Sequence, residues 1–142
     1  MPIELVIHLI ERKKTLNAEK LDIDEKLAEL PPEHLWVVDK DPSEYPRELT
    51  PQETKVKESF LALNSRKIAV QAQIDRAQRF GLRYTKSVIP TLCLDCFVYH
   101  DLSSKMVEIE SMLGNGIRTF KCEKPCGYEL PVDETISQPG SA

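Results

Sequence analysis

Leu9, Leu16, Ile23, Leu27 and Leu30 recur at a heptad-like spacing, and the aliphatic stems of Lys13 and Lys20 fill two further positions of the same stripe. A second stripe, Val56, Phe60, Leu63, Lys67, Val70, Ile74 and Ala77, alternates steps of four and three. Both patterns predict helices. The second helix has a well-marked start: Thr50 can cap it, Pro51 suits its first position, and Glu53 can close a capping box. Arg76 and Arg79 in the last turn and Gly81 beyond them predict its end. Each stripe is one face wide, so each helix has to bury it, and the nearest partner is the other helix folded back antiparallel. Helices of about 30 residues would then make a rod of roughly 45 Å. Residues 3–10 read two ways. Ile3, Leu5, Ile7 and Leu9 alternate like a strand, but no turn signal separates them from the stripe that follows, which favours helix.

Between the helices lies "PPEHLWVVDKDPSEYPRELTP", with five prolines and the one tryptophan. A helical hairpin needs two to eight connecting residues, roughly, so residues 31–51 do more than connect. Trp36 and Val37 either fold back over the open end of the hairpin or form an apolar contact patch at its tip. In the second case Asp39 and Asp41 add charge for a metal or a basic partner.

From Pro90 on, the pattern shortens to strands. "KMVEIES" and "IRTFKC" flank "MLGNG", and Asn115-Gly116 is a hairpin turn signal. All four cysteines fall here, as "CLDC" from Cys93 and "CEKPCG" from Cys122, with 25 residues between Cys96 and Cys122. Each pair is expected in a tight turn at a strand end, and Gly127 permits the backbone such a turn needs. Two close pairs present four sulfurs to one point, the tetrahedral set that zinc prefers in closed structural sites. Iron held by four cysteines uses the same ligands. Disulfides suit neither such short spacings nor a reducing compartment, and a redox dithiol would place its CxxC at a helix start beside a βαβ unit, which the pattern does not show. His100 follows Cys96 by four residues, but four cysteines already complete the site. The expected load is one zinc per chain at Cys93, Cys96, Cys122 and Cys126.

Composition narrows the classes. The 142 residues are 30% charged and 6% aromatic, with a net charge of −4. The basic excess lies in the middle: residues 51–100 hold eight Lys+Arg against four Asp+Glu, while residues 1–50 hold seven against twelve. Arg66, Lys67, Arg76, Arg79, Arg83 and Lys86 face only Asp75 over residues 65–86. Within this segment Arg76, Arg79, Arg83 and Lys86 are the candidate phosphate contacts. The plainer role of such residues is to complement the helix dipole and the acidic first helix. No apolar run approaches the ~20 residues of a membrane span, and the start of the chain lacks a basic n-region and a cleavage site. The chain reads as cytoplasmic. It also reads as a non-enzyme: four soft ligands leave a metal no open position, there is no Gly-rich phosphate loop, and His8, His34 and His100 are far apart.

The expected architecture is therefore α+β. A long antiparallel helical hairpin (coiled coil) spans 1–83 with a tip loop at 31–51, a small four-cysteine β zinc ribbon spans 84–132, and a disordered tail spans 133–142. This layout, with Cys93, Cys96, Cys122 and Cys126 as its specific residues, resembles the DksA/TraR class of transcription regulators. It also resembles helical-hairpin proteins with a C-terminal four-cysteine zinc ribbon. The first resemblance implies a hairpin that enters the secondary channel of RNA polymerase and works through acidic tip residues. This chain departs from that class in its longer inter-pair spacing, its proline-rich tip and the absence of a helix after the second pair. Three functions follow as expectations: a transcription-associated regulator with an RNA polymerase-type partner, a ribbon that binds nucleic acid through the basic segment, or an adaptor whose coiled coil engages a partner protein or a second copy.

Overall fold

The computed structural model describes residues 1–83, 90–109 and 117–133. It is α+β. Helix α1 spans Ile3–Ala28, a short α2 spans Trp36–Asp39, α3 spans Pro51–Arg83 and α4 spans Leu94–His100. The strands are β1 (Met106–Ile109), β2 (Ile117–Cys122) and β3 (Glu129–Asp133), paired antiparallel in the order β1-β2-β3. The expected Asn115-Gly116 turn and the tail beyond Asp133 lie outside the described residues. Among the described residues no helix is long and apolar enough to cross a membrane.

Residues 3–10 are helical, the first turns of α1. Of the first stripe Leu9, Leu16 and Ile23 are buried, and of the second Val56, Val70 and Ala77. Leu27, Leu30, Leu63 and Ile74 are half-buried. Phe60, expected deep in the seam, is also half-buried. Helix α3 opens as its sequence predicts: the amide of Glu53 donates to Thr50 Oγ1 at 3.2 Å, and the amide of Thr50 donates to Glu53 Oε1 at 2.9 Å. Its end is different. The helix runs through Gly81 to Arg83, and Arg76, expected as a dipole-complementing surface residue, donates through Nε to the carbonyl of Val98 at 2.8 Å.

The chain divides into two compact units. One combines Met1–Leu16 with the chain from Gln73 on. Its core gathers Leu5 and Leu9 of α1, Ala77 and Phe80 of α3, Leu94, Phe97 and Val98 of α4, and Phe120, Leu130 and Val132 of the sheet. Phe80 and Phe97 meet edge to face with centroids 5.5 Å apart. In the sheet, Phe120 lies opposite Leu130 and Met106 opposite Cys122, so these residues share the core face. A Cβ added at Gly81 would stand 3.1 Å from Leu9 Cδ2, which marks how closely α1 and α3 approach in this unit.

The other unit is Asn17–Ala72. Here α1 and α3 are joined by ion pairs from Lys67 to Asp24 (2.8 Å) and Arg66 to Glu19 (3.4 Å). The segment between the helices is built from short turns. A 3₁₀ turn at Pro32–His34, α2 and a second 3₁₀ turn at Pro42–Glu44 follow one another, and Val37 is fully buried. Tyr45 donates its hydroxyl to the carbonyl of Val37, and Asp41 caps the second turn through the amide and hydroxyl of Ser43. Arg47 closes the segment on the buried Glu53, with Nη1 2.6 Å from Oε1.

Two outcomes follow. Ile23→Ala, at a fully buried site, is expected to cost about 3 kcal/mol in denaturant unfolding, and Phe60→Ala, half-buried, about 1 kcal/mol; equal costs would contradict this placement of the seam. The Arg47 guanidinium, helped by the Thr50 amide and opposed by desolvation, holds the Glu53 carboxyl down at about 2. A lowered carboxyl stabilises the fold above its unfolded value of about 4.3 and loses that contribution as pH falls through the folded value. Melting temperature is therefore expected to fall as pH drops from about 4.5 towards 2, with a shallower slope in Glu53→Gln.

Candidate metal centre

The first cysteine pair is set by an antiparallel bridge between Leu92 and Lys105, in which the amide of Cys93 donates to the carbonyl of Ser104 at 2.8 Å. The chain then turns into α4, with Cys93 as its N-cap residue. The thiol of Cys93 accepts from the amide of Cys96 at 3.4 Å, as a serine or aspartate would at this position. The expectation of a strand-end turn for this pair is thus corrected: the CxxC opens a helix. Leu94, Phe97 and Val98 supply the buried side that holds the helix down. It ends at Asp101, whose φ of +53° is left-handed, and the amide of Leu102 returns to the carbonyl of Cys96 at 3.0 Å.

The second pair does lie in a strand-end turn. Cys122 closes β2, its amide donates to the carbonyl of Tyr128 at 3.0 Å, and Gly127 takes the φ of +83° that lets the chain return. The amide of Lys124 donates to Cys122 Sγ at 3.4 Å, and that of Tyr128 to Cys126 Sγ at 3.5 Å.

The four sulfurs converge. Cys93 Sγ stands 3.5 Å from Cys126 Sγ, Cys96 Sγ stands 3.7 Å from Cys122 Sγ, and all four lie within 4.8 Å of one another. A tetrahedral ion with metal–sulfur bonds of about 2.3 Å has sulfur–sulfur edges of about 3.8 Å, so the residues fit a metal. A disulfide needs about 2.05 Å, and all four cysteines are free. The CxxC does occupy the helix start that redox dithiols use. Even so, both of these close sulfur contacts join one pair to the other, which suits a shared ion better than a single exchanging dithiol. Cys93, Cys96 and Cys122 are buried and Cys126 is exposed. Burial pushes the Cys93 and Cys126 thiols up. Burial acts the same way on Cys122, but the Lys124 amide and the neighbouring thiols outweigh it and bring that group down. A divalent cation would supply the charge that lets all four ionise, releasing protons as it binds.

Side chains around the cluster tie it to α1, and their sequence positions did not announce this. Arg12 reaches Asp95, between the two cysteines of the first pair, at 2.9 Å. His8 Nδ1 is hydrogen-bonded to the Tyr128 hydroxyl at 3.0 Å, and the Glu4 carboxylate accepts from the amide of Asp133 at 2.9 Å. Asp95 and Tyr128 each lie within two residues of a cysteine, the one signal that marks them in the sequence. His100 is exposed at the end of α4.

Trp36 is half-buried and edge-on to Tyr45, with centroids 5.7 Å apart and the Arg47 guanidinium 5.9 Å from its ring. Asp39 is exposed, while Asp41 is occupied in capping, and its carboxyl is held below the usual range by the Ser43 amide and hydroxyl. Arg79 and Arg83 are exposed on α3, and Lys86 lies outside the described residues. Compared with family models, curated proteins and solved structures, the chain finds no match.

Cys122→Ser removes one sulfur from the end of β2. The substitution is expected to abolish stoichiometric metal uptake and to remove hydrogen-exchange protection from residues 92–106 and 117–133, because structural metal binding is folding free energy. Full protection in the variant would contradict a metal-dependent fold here.

Proposed function

We propose that the chain is a non-enzymatic zinc-ribbon protein with one zinc per chain, whose two long helices pair as an antiparallel hairpin. It acts through protein contacts as a transcription-associated regulator with an RNA polymerase-type partner. The observation that carries this reading is the convergence of four sulfurs at tetrahedral spacing. Four thiolates fill the coordination of zinc and leave no position for a reacting water, so the ion is structural and the work of the protein falls to its surfaces. The ion pairs of Lys67 and Arg66 with α1, and the close approach of Gly81 to Leu9, support the pairing of the helices.

The tip is the contact surface in this reading. Its backbone is already fixed by short turns and by the Arg47–Glu53 closure, so little ordering entropy is lost on binding. Trp36 offers a half-exposed aromatic and Asp39 an exposed carboxylate, and a groove of about 550 Å³ lined by Leu30, Pro31, Pro51, Lys55 and Val56 opens beside them in sequence. Asp41 drops out as a contact residue because its carboxylate holds the second turn.

A second reading, an adaptor or self-associating helical protein, is favoured by Leu61 and Ile68. They are seven residues apart on α3 and 51% and 64% exposed. The nucleic-acid reading keeps Arg79 and Arg83 but loses Arg76 to the carbonyl of Val98.

Binding of the full chain to purified RNA polymerase tests the proposal. Trp36→Ala combined with Asp39→Asn is expected to weaken binding about tenfold or more, the effect of one good anchor, with the helical circular dichroism unchanged. Unchanged affinity in that variant, or no binding by the native chain, contradicts the polymerase reading. Nuclease-sensitive binding that falls with salt and with Arg79→Glu/Arg83→Glu would replace it with the nucleic-acid reading.

A further inference from the structure

Ser104 is 1% exposed, and its hydroxyl meets no hydrogen-bond partner among the described residues. Leaving a buried hydroxyl unpaired is costly, so such a group calls for an explanation. The backbone register says which residue faces it. Leu92 and Lys105 form an antiparallel bridge, flanked by hydrogen bonds from Cys93 N to Ser104 O at 2.8 Å and from Met106 N to Thr91 O at 3.0 Å. Cys93 and Ser104 therefore stand directly opposite each other. Side chains at opposite positions share a face of the pair, with Cβ atoms about 4.5–5.5 Å apart.

The alternation along the strand gives a second, independent placement. Residues two apart in a strand share a face, so Ser104 falls on the face of Met106, and Met106 is the register partner of Cys122. Ser104 thus occupies the row between the two cysteine pairs, with Cys93 across from it on one side and the Cys122 turn on the other. At the next residue, just before β1, the amide of Glu123 donates to the carbonyl of Lys105 at 3.0 Å, which holds that turn beside Ser104.

The partners of the Cys93 sulfur in the structure are the Cys96 amide at 3.4 Å and the Cys126 sulfur at 3.5 Å, so a bond from Ser104 to it would form only as the cluster takes up an ion. A neutral thiol is a weak acceptor, whereas a thiolate is a charged one, and charge-assisted hydrogen bonds are roughly twice as strong as neutral ones. We propose that Ser104 donates its hydroxyl hydrogen to the Cys93 thiolate when the cluster holds its metal, and so orients that sulfur and draws charge from it. Ser104 is a positioning residue: it touches a ligand and not the ion. The proposal rests on the metal reading of the four cysteines.

Cobalt(II) loading of the full chain tests it, because the energy of the sulfur-to-cobalt charge-transfer band reports the electron density on the thiolates. Alanine fits wherever serine does, so Ser104→Ala is expected to fold and to load. Without the hydroxyl the Cys93 sulfur becomes more electron-rich. The band is expected to move to lower energy, and zinc affinity measured by chelator competition to fall about tenfold. Ser103→Ala, at the exposed neighbouring serine, is expected to match the native chain in both readouts. A Ser104→Ala band at the native position, or the same shift in both variants, overturns the proposal. A native chain that takes up no cobalt and no zinc overturns the metal reading and this proposal with it, whereas native loading with an unmoved Ser104→Ala band overturns this proposal alone.

Discussion

The meeting of four sulfurs at one point is the constraint that joins the start of α4 to the turn after β2. Strands of four, six and five residues make a sheet too small to stand alone, since isolated short strands are marginal in water. Its core face offers Met106, Phe120, Leu130 and Val132, which add to a core that also takes residues from α1, α3 and α4. A sheet of this size gains from a staple. The sulfur cluster is placed to be one. An ion held there would fasten the start of α4, set by the Leu92–Lys105 bridge, to the turn after β2, and both segments also reach α1, through Asp95 to Arg12 and through Tyr128 to His8.

The unit between Asn17 and Ala72 is held differently. Its segment between the helices buries few large side chains, with Val37 the fully buried one. Polar closures take over: the reciprocal Thr50–Glu53 bonds, the Arg47 pair on Glu53, the Asp41 cap and the Tyr45 hydroxyl on Val37. A segment built this way keeps its shape while leaving Trp36 half-exposed. Under the proposed function that combination is the useful one, because a contact surface must be both ordered and open.

The elements legible in the sequence were those written in local signals. The Thr50-Pro51-Glu53 start of α3 and the stripe through Leu9, Leu16 and Ile23 required nothing from distant parts of the chain. The cysteine spacing likewise pointed to one site, and the thiols do converge. What was not legible depends on tertiary contacts. Glycine costs a helix about 1 kcal/mol, so Gly81 looked like an end. The burial of Phe80 and Ala77 beside it outweighs that cost, and the missing side chain admits Leu9 at close range. Helix α4, at seven residues, is too short for a periodic signal, and its N-cap is a thiol and not a serine or aspartate. Nor did the stripe alone show that Phe60 is half-buried, because a heptad position says which face a residue occupies and not how deep it lies.

The central claim is that the four cysteines hold one structural ion without help from any other ligand. X-ray absorption at the zinc edge, on the full chain purified with its metal under reducing conditions, tests that claim most directly. The account predicts a first coordination shell of four sulfurs at about 2.3 Å and no lighter atom. A shell containing nitrogen or oxygen at about 2.0–2.1 Å would mean that a histidine or water shares the site, and would contradict both the closed four-thiolate centre and the non-catalytic reading built on it.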